Sequence, residues 1–257
     1  MTITYLSLLL GLAGMLAPLA YLLYVCDTRL LTKLLAGTLR MVVQLAMVGA
    51  YVKALYHFDL LWLNLLWLLV MSGVGGWVIV SRAELDKRRL FAPAALGLLA
   101  GVAVMSALLL LAVIRPERPL SAQWLVPVSA VLLAHVAASG VRALGTFCKT
   151  MQSDTQAYYT LLGNGLSHFR ALMPYVRPAL QSLLLPAVAN LSVMGLFVLP
   201  ALLTGQLLGG ISPVEAVKLT VLLCVGCLCA SVIAFAVTLL LADRSLFDRS
   251  GNMIEEQ

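Results

Sequence analysis

Apolar positions along this chain neither alternate nor recur at every third or fourth residue. They form unbroken runs of about 20, separated by short polar or basic stretches. A run of that length, wound as a helix, crosses the ~30 Å hydrocarbon core of a bilayer. A transmembrane β-barrel would instead alternate in pieces of about ten residues. The pattern predicts an all-α, polytopic membrane protein of about seven spans, near residues 3–25, 34–56, 60–80, 92–114, 123–144, 183–208 and 214–241. Several ends carry their own signals. Arg82, Lys87, Arg88 and Arg89 bracket the loop after the third span, and Arg115-Pro116-Glu117-Arg118-Pro119 ends the fourth. Ser212-Pro213-Val214-Glu215 opens the seventh, with Ser as N-cap, Pro at the first helical position and Glu at the third. No Lys or Arg precedes the first run, so it reads as a retained span and not as a cleaved leader.

Segment 145–182 is the longest stretch outside the spans. Tyr158, Tyr159, Leu162, Phe169, Arg170 and Arg177 lie there among polar residues. Gly163-Asn164-Gly165 interrupts it, and Pro174 and Pro178 follow. The expectation is short interfacial helices joined by a glycine turn, serving either as a linker or as a docking surface for a partner. The rest of residues 1–257 reads as one transmembrane domain without an evident internal repeat.

Composition agrees. Apolar residues make up 62% of the 257, charged residues 11%, and mean hydropathy is +1.01, against roughly 45–50% and 25% in soluble domains. A soluble enzyme and a disordered chain are both excluded. The net charge of +6 sits between the spans, where it sets topology and meets anionic lipid; no nucleic-acid motif accompanies it. Twelve Lys and Arg fall on one side of the predicted spans and three on the other, which predicts the N-terminus out and the C-terminus in. Five cysteines, three of them in one apolar run, do not form a secreted disulfide framework.

Candidate chemistry is sparse. The phosphate loop G-x-x-x-x-G-K-[ST], the H-E-x-x-H helix and the G-x-S-x-G elbow are missing from the sequence, so if ATP drives this protein, another chain binds it. Arg40 and Gln44 stand one turn apart in the second span, either as a polar seam or with Arg40 snorkelling to the interface. His135 lies mid-span with Ser129 and Ser139 nearby; it is a metal or proton group, or an interhelical hydrogen-bond partner. Cys224 and Cys227 share a helix face, as weak metal candidates or small packing residues; Cys229 lies off it. Asn190, Ser192, Gly195, Pro200, Thr204, Gly205, Gln206, Gly209 and Gly210 crowd the sixth span. Such a cluster predicts a broken or re-entrant element facing substrate, or else a tolerated kink. Glu215 is read as the only acid near a span, and as a cap.

The stretch Leu199-Pro200-Ala201-Leu202-Leu203-Thr204-Gly205-Gln206-Leu207-Leu208-Gly209-Gly210-Ile211-Ser212-Pro213-Val214-Glu215-Ala216-Val217-Lys218 resembles the FetB family of ABC-transporter permeases. Arg40-Met41-Val42-Val43-Gln44-Leu45 resembles that family's R-x-x-x-Q-L. Leu162-Gly163, Arg177 and Pro186 are similar to its cytoplasmic loop. The sequence departs from the family at Ala201, which stands for a Gly. Ala189 and Ser192 replace an acidic and a basic residue, and Ala134-His135 stands for Gly-Asn. The resemblance implies a permease in the bacterial inner membrane, implicated in iron export, with plant relatives linked to aluminium tolerance. It implies a homodimer joined to a separate cytoplasmic ATPase that binds ATP and magnesium; this chain itself would bind no cofactor. It places a coupling surface in 145–182, for which Tyr158, Tyr159, Leu162, Gly163, Phe169, Arg170 and Arg177 are the candidates; the residues themselves make Gly195, Pro200, Gly205, Gly209 and Gly210 the expected helix break or hinge, and Arg40, Gln44, His135, Asn190, Thr204 and Gln206 the expected pathway lining. Two other classes stand beside it. A gradient-driven transporter or channel would ignore vanadate, and a membrane scaffold would show no ligand-dependent change.

Overall fold

The computed structural model describes residues 5–25, 30–194 and 201–246. The chain forms two compact units, Met1–Phe58 and Asp59–Gln257. The first holds α1 (Tyr5–Val25) and α2 (Leu30–Phe58). The second holds α3 (Leu61–Arg82), α4 (Lys87–Ala107, continued by a π-helical turn Leu108–Ile114), α5 (Ala122–Ser153), α6 (Thr155–Gly163), α7 (His168–Val193), α8 (Ala201–Leu208) and α9 (Pro213–Leu246). Five helices among the described residues are long and apolar enough to cross a membrane: α2, α3, α4 with its π turn, α5 and α9.

In the second unit α5 packs against α3, α4, α7 and α9. Gly145 of α5 lies beside Ala83 at the end of α3, and Ser139 of α5 meets Ser231 of α9. α3, α5 and α9 therefore run the same way, with α4 and α7 opposed. The most extensive pairing among the described residues joins α4 to α9. Gly97 and Gly101 make it possible. A Cβ on Gly97 would stand 2.7 Å from the Ala234 carbonyl, and one on Gly101 2.8 Å from the Ala234 Cβ. Between lipid-facing helices, where apolar burial drives nothing, such close backbone approach supplies the van der Waals contact that association needs.

Two helix ends depend on glycine. Gly165 (φ +80°) closes α6, its N–H reaching the Leu162 carbonyl while Leu166 N–H reaches Leu161. Gly210 (φ +87°) closes α8 the same way, through Leu207 and Gln206. Both are left-handed caps that an L side chain would strain. α9 then starts as its sequence reads, with Pro213 first and the Ser212 hydroxyl accepting the Glu215 N–H at 3.4 Å.

Three expectations need correction. Segment 145–182 is not a set of short helices. α5 runs unbroken to Ser153, only α6 is short, and α7 passes through Pro174, Pro178 and Pro186. Each proline removes one N–H, but Ala171, Tyr175, Ala179, Leu183 and Ala187 recur every fourth residue as a buried stripe, and α7 packs along α5. That burial holds the helix together. The lost bond at Pro186 leaves the Ser182 carbonyl without its i+4 donor, and Arg142 Nε of α5 donates to it at 3.3 Å. Secondly, the helix that enters the sixth span does not start near residue 183. α7 begins at His168 and ends where Met194 turns extended (ψ 132°), and α8 resumes at Ala201. Thirdly, Glu215 is not alone. Asp59 precedes α3, and Asp243 belongs to α9.

Candidate functional site

The α6–α7 corner gathers several polar side-chain contacts between elements. α5 has 32 residues and α9 has 34. At 1.5 Å per residue they are about 48 and 51 Å long, well beyond a ~30 Å core. Their C-terminal ends stand at the corner. Tyr158, fully buried, places its hydroxyl 2.7 Å from His168 Nδ1, and His168 Nε2 lies 2.6 Å from Asp243 Oδ1. A carboxylate only accepts, so Nε2 carries a proton, and in the neutral ring Nδ1 then accepts from the tyrosine. Burial first, and the Asp243 charge second, push the Tyr158 hydroxyl up to about 12, which keeps it a donor. Tyr175 of α7 donates to the Asp154 carbonyl at 2.7 Å, pinning the α5–α6 junction.

Around this polar chain the corner presents apolar and basic side chains. Phe169 is 63% exposed and Tyr159 39%. Gly163, Arg170 and Arg177 are exposed, and Leu162 is half-buried. Of the seven coupling candidates, Tyr158 alone is fully buried, so it can only position its neighbours. Beside the corner a groove of about 460 Å³ separates α7 from α9, lined by Leu172, Val176, Leu180, Val232, Phe235 and Leu239 and bounded at one end by His168 and Asp243.

Arg40 and Gln44 belong to the first unit and are exposed on α2. His135 is half-buried in α5, and its Nε2 has no hydrogen-bond partner among the described residues. One turn on, Ser139 and Ser231 hydroxyls meet at 2.9 Å. Asn190, Ala189 and Ser192 are exposed near the end of α7. Thr204 is exposed on α8, and Gln206 Oε1 is buried without a partner among the described residues. Ala201 opens α8, Gly205 lies within it, Gly209 and Gly210 follow it, and Gly195 and Pro200 lie outside the described residues. Cys227 is buried and Cys224 half-buried. Among the described residues no three His, Cys, Asp or Glu side chains come together as a metal site, so His135, Cys224 and Cys227 do not form one there.

Sequence reasoning overlooked His168 and Asp243. Asp243 follows directly on the last apolar run, an acid at the end of a spanning helix. That was the available signal. It also overlooked Asp59, whose Oδ1 accepts the Ala122 N–H at 2.6 Å and caps α5 from a distant turn, and Asn64, fully buried and donating to the Leu120 carbonyl at 3.3 Å.

The chain is 30% identical to the UPF0014 membrane protein slr1647 of Synechocystis, over 69% of this chain and 68% of that one. It is 27% identical to the protein ALUMINUM SENSITIVE 3 of Arabidopsis thaliana over 71% of this chain, spanning about two thirds (65%) of that protein's length. It is 22% identical to the probable iron export permease protein FetB of Escherichia coli, over 85% and 83%. No solved structure matches it significantly. The pattern of the uncharacterised protein family UPF0014 matches residues 6–247, and with that match, on a helical multi-pass membrane protein, the chain belongs to the UPF0014 family.

Proposed function

We propose that this chain is the permease subunit of an ABC transporter and exports a metal ion of iron-like chemistry, driven by a separate cytoplasmic ATPase. The observation that carries the reading is the similarity to FetB across more than four fifths of both chains. The missing phosphate loop fits it, because ATP and magnesium then bind on the partner. So does the α6–α7 corner, whose exposed Phe169 and Tyr159 beside Arg170 suit a protein interface. On this reading the N-terminus faces out, the corner faces the cytoplasm, and two permeases pair in the bacterial inner membrane. Nucleotide binding closes the ATPase dimer, the corner moves with it, and the helices rock between outward and inward access. His135 Nε2 and Gln206 Oε1 are buried polar atoms that a passing hydrated cation would satisfy, the histidine as an acceptor when its proton is on Nδ1.

The test is purification of the tagged chain from native membranes in mild detergent. The expected result is a P-loop ATPase at one-to-one, with hydrolysis stimulated by ferrous or another transition-metal ion. Gln206→Ala and His135→Ala lower that stimulation. A homogeneous chain with no ATPase refutes the reading, and undiminished stimulation in both variants refutes the pathway assignment.

A further inference from the structure

Two side-chain hydrogen bonds tie the α6–α7 corner to neighbouring elements. One is the Tyr175 hydroxyl on the Asp154 carbonyl, which ties it to α5. The other is His168. Its ring is held by Tyr158 of α6 on one nitrogen, and on the other it crosses to Asp243 of α9. The crossing is mechanically significant because α7 and α9 are parted just there by the groove of about 460 Å³. Apolar packing between them is thin at that end, and α6 packs on α7 and α5 rather than on α9. A push on α6 reaches α9 through an imidazole with a partner at each nitrogen. The protonation pattern suits a rigid strut. Tyr158 donates, Nδ1 accepts, Nε2–H donates and the carboxylate accepts, so every group is satisfied and the ring has one orientation.

We propose that His168 is a positioning residue that transmits movement of the α6–α7 corner into α9, with Tyr158 and Asp243 as its two ends. This rests on the permease reading for its purpose, since the movement is the ATPase stroke, but not for its existence. Two helices are then driven from one docking surface. α7 is pushed directly and α9 through the histidine. α9 lies against both α4 and α5, so the stroke spreads into the whole second unit.

The first arm needs no ATPase. Amide hydrogen exchange is measured on the full chain in lipid nanodiscs for the native protein, Asp243→Ala and Asp243→Asn. Asparagine keeps an oxygen that accepts from Nε2–H, and alanine does not. In Asp243→Ala, exchange across residues 155–163 of α6 should rise about fivefold or more, on a different helix from the substitution, while α3 and α4 hold their native rates. Asp243→Asn should stay near native. Unchanged α6 exchange in Asp243→Ala overturns the proposal, and so does an increase spread equally over α3 and α4. The second arm adds the co-purified ATPase and a non-hydrolysable ATP analogue. In the native complex exchange should change in both α6 and the end of α9. In Asp243→Ala it should change in α6 alone, and in Asp243→Asn in both. An α9 response of native size in Asp243→Ala overturns the transmission role. If no ATPase co-purifies with the native chain, the permease reading falls, and the first arm still decides whether His168 joins α6 to α9.

Discussion

The seam between α4 and α9 offers the sharpest test of the packing. In Gly97→Ala the added Cβ falls on the Thr238 hydroxyl, 2.7 Å from the Ala234 carbonyl oxygen and 2.9 Å from the Thr238 nitrogen. Carbon and oxygen in close non-bonded contact stand about 3.3 Å apart, so against the 2.7 Å carbonyl the overlap is about 0.6 Å. Thr238 cannot simply swing away, because its hydroxyl donates to that same carbonyl at 2.7 Å. The backbones must part, and overpacking of this kind costs about 1–3 kcal/mol. Alanine's better helix propensity returns at most about 1 kcal/mol. Gly73→Ala in α3 is the control, since its Cβ meets nothing within 4 Å; it keeps the propensity gain without the clash. The two variants should differ by about 2 kcal/mol, or roughly 4–8 °C in Tm for a domain of this size. Thermal unfolding in identical nanodiscs, followed by tryptophan fluorescence, measures it. A Gly97→Ala protein as stable as Gly73→Ala would refute the close approach of α4 and α9.

Three further outcomes follow from other contacts. Arg142→Ala should cost about 1–3 kcal/mol by leaving the Ser182 carbonyl bare; Pro186→Ala restores the missing N–H, so the double variant should lose much less, and additive losses in a thermal double-mutant cycle would contradict the pairing. Asp59→Ala should cost about 0.5–2 kcal/mol through the lost cap on the Ala122 N–H, with Asp59→Asn closer to native because asparagine also tolerates the +41° φ there; equal losses in thermal unfolding would count against the cap. Because the Tyr158 hydroxyl is raised from 10 to about 12, the native state binds the extra proton between those values, so stability is full below pH 10 and falls as pH climbs toward 12. A Tyr158→Phe protein should show a flatter decline in that window, and identical pH–stability curves would remove tyrosine ionisation as the cause.

Much of the helical order was legible because it rests on local rules. The Gly163-Asn164-Gly165 turn and the Ser212-Pro213 start of α9 stand where glycine and capping chemistry put them. Prolines misled the reading of α7, since the rule that proline breaks helices describes the lost bond and not the burial that opposes it. The Ala171, Tyr175, Ala179, Leu183, Ala187 spacing carried the opposing signal. The His168–Asp243 link was illegible for a different reason. The two residues lie 75 positions apart, and no local pattern records a tertiary hydrogen bond; only an acid just past the last apolar run pointed toward one.

The glycine face of α4 has a consequence for how the protein is made. Its partner α9 ends at Leu246, 139 residues after α4 ends at Ala107. At about 5–20 residues per second of synthesis, α4 stands in the bilayer for roughly 7–28 s before α9 is complete. During that time lipid tails, or α3 and α5, must occupy a surface shaped for backbone contact. Assembly of the second unit is thus a late, post-insertion event sealed by α9, and a chain stopped before Pro213 would enter the membrane yet leave the α4–α9 seam open.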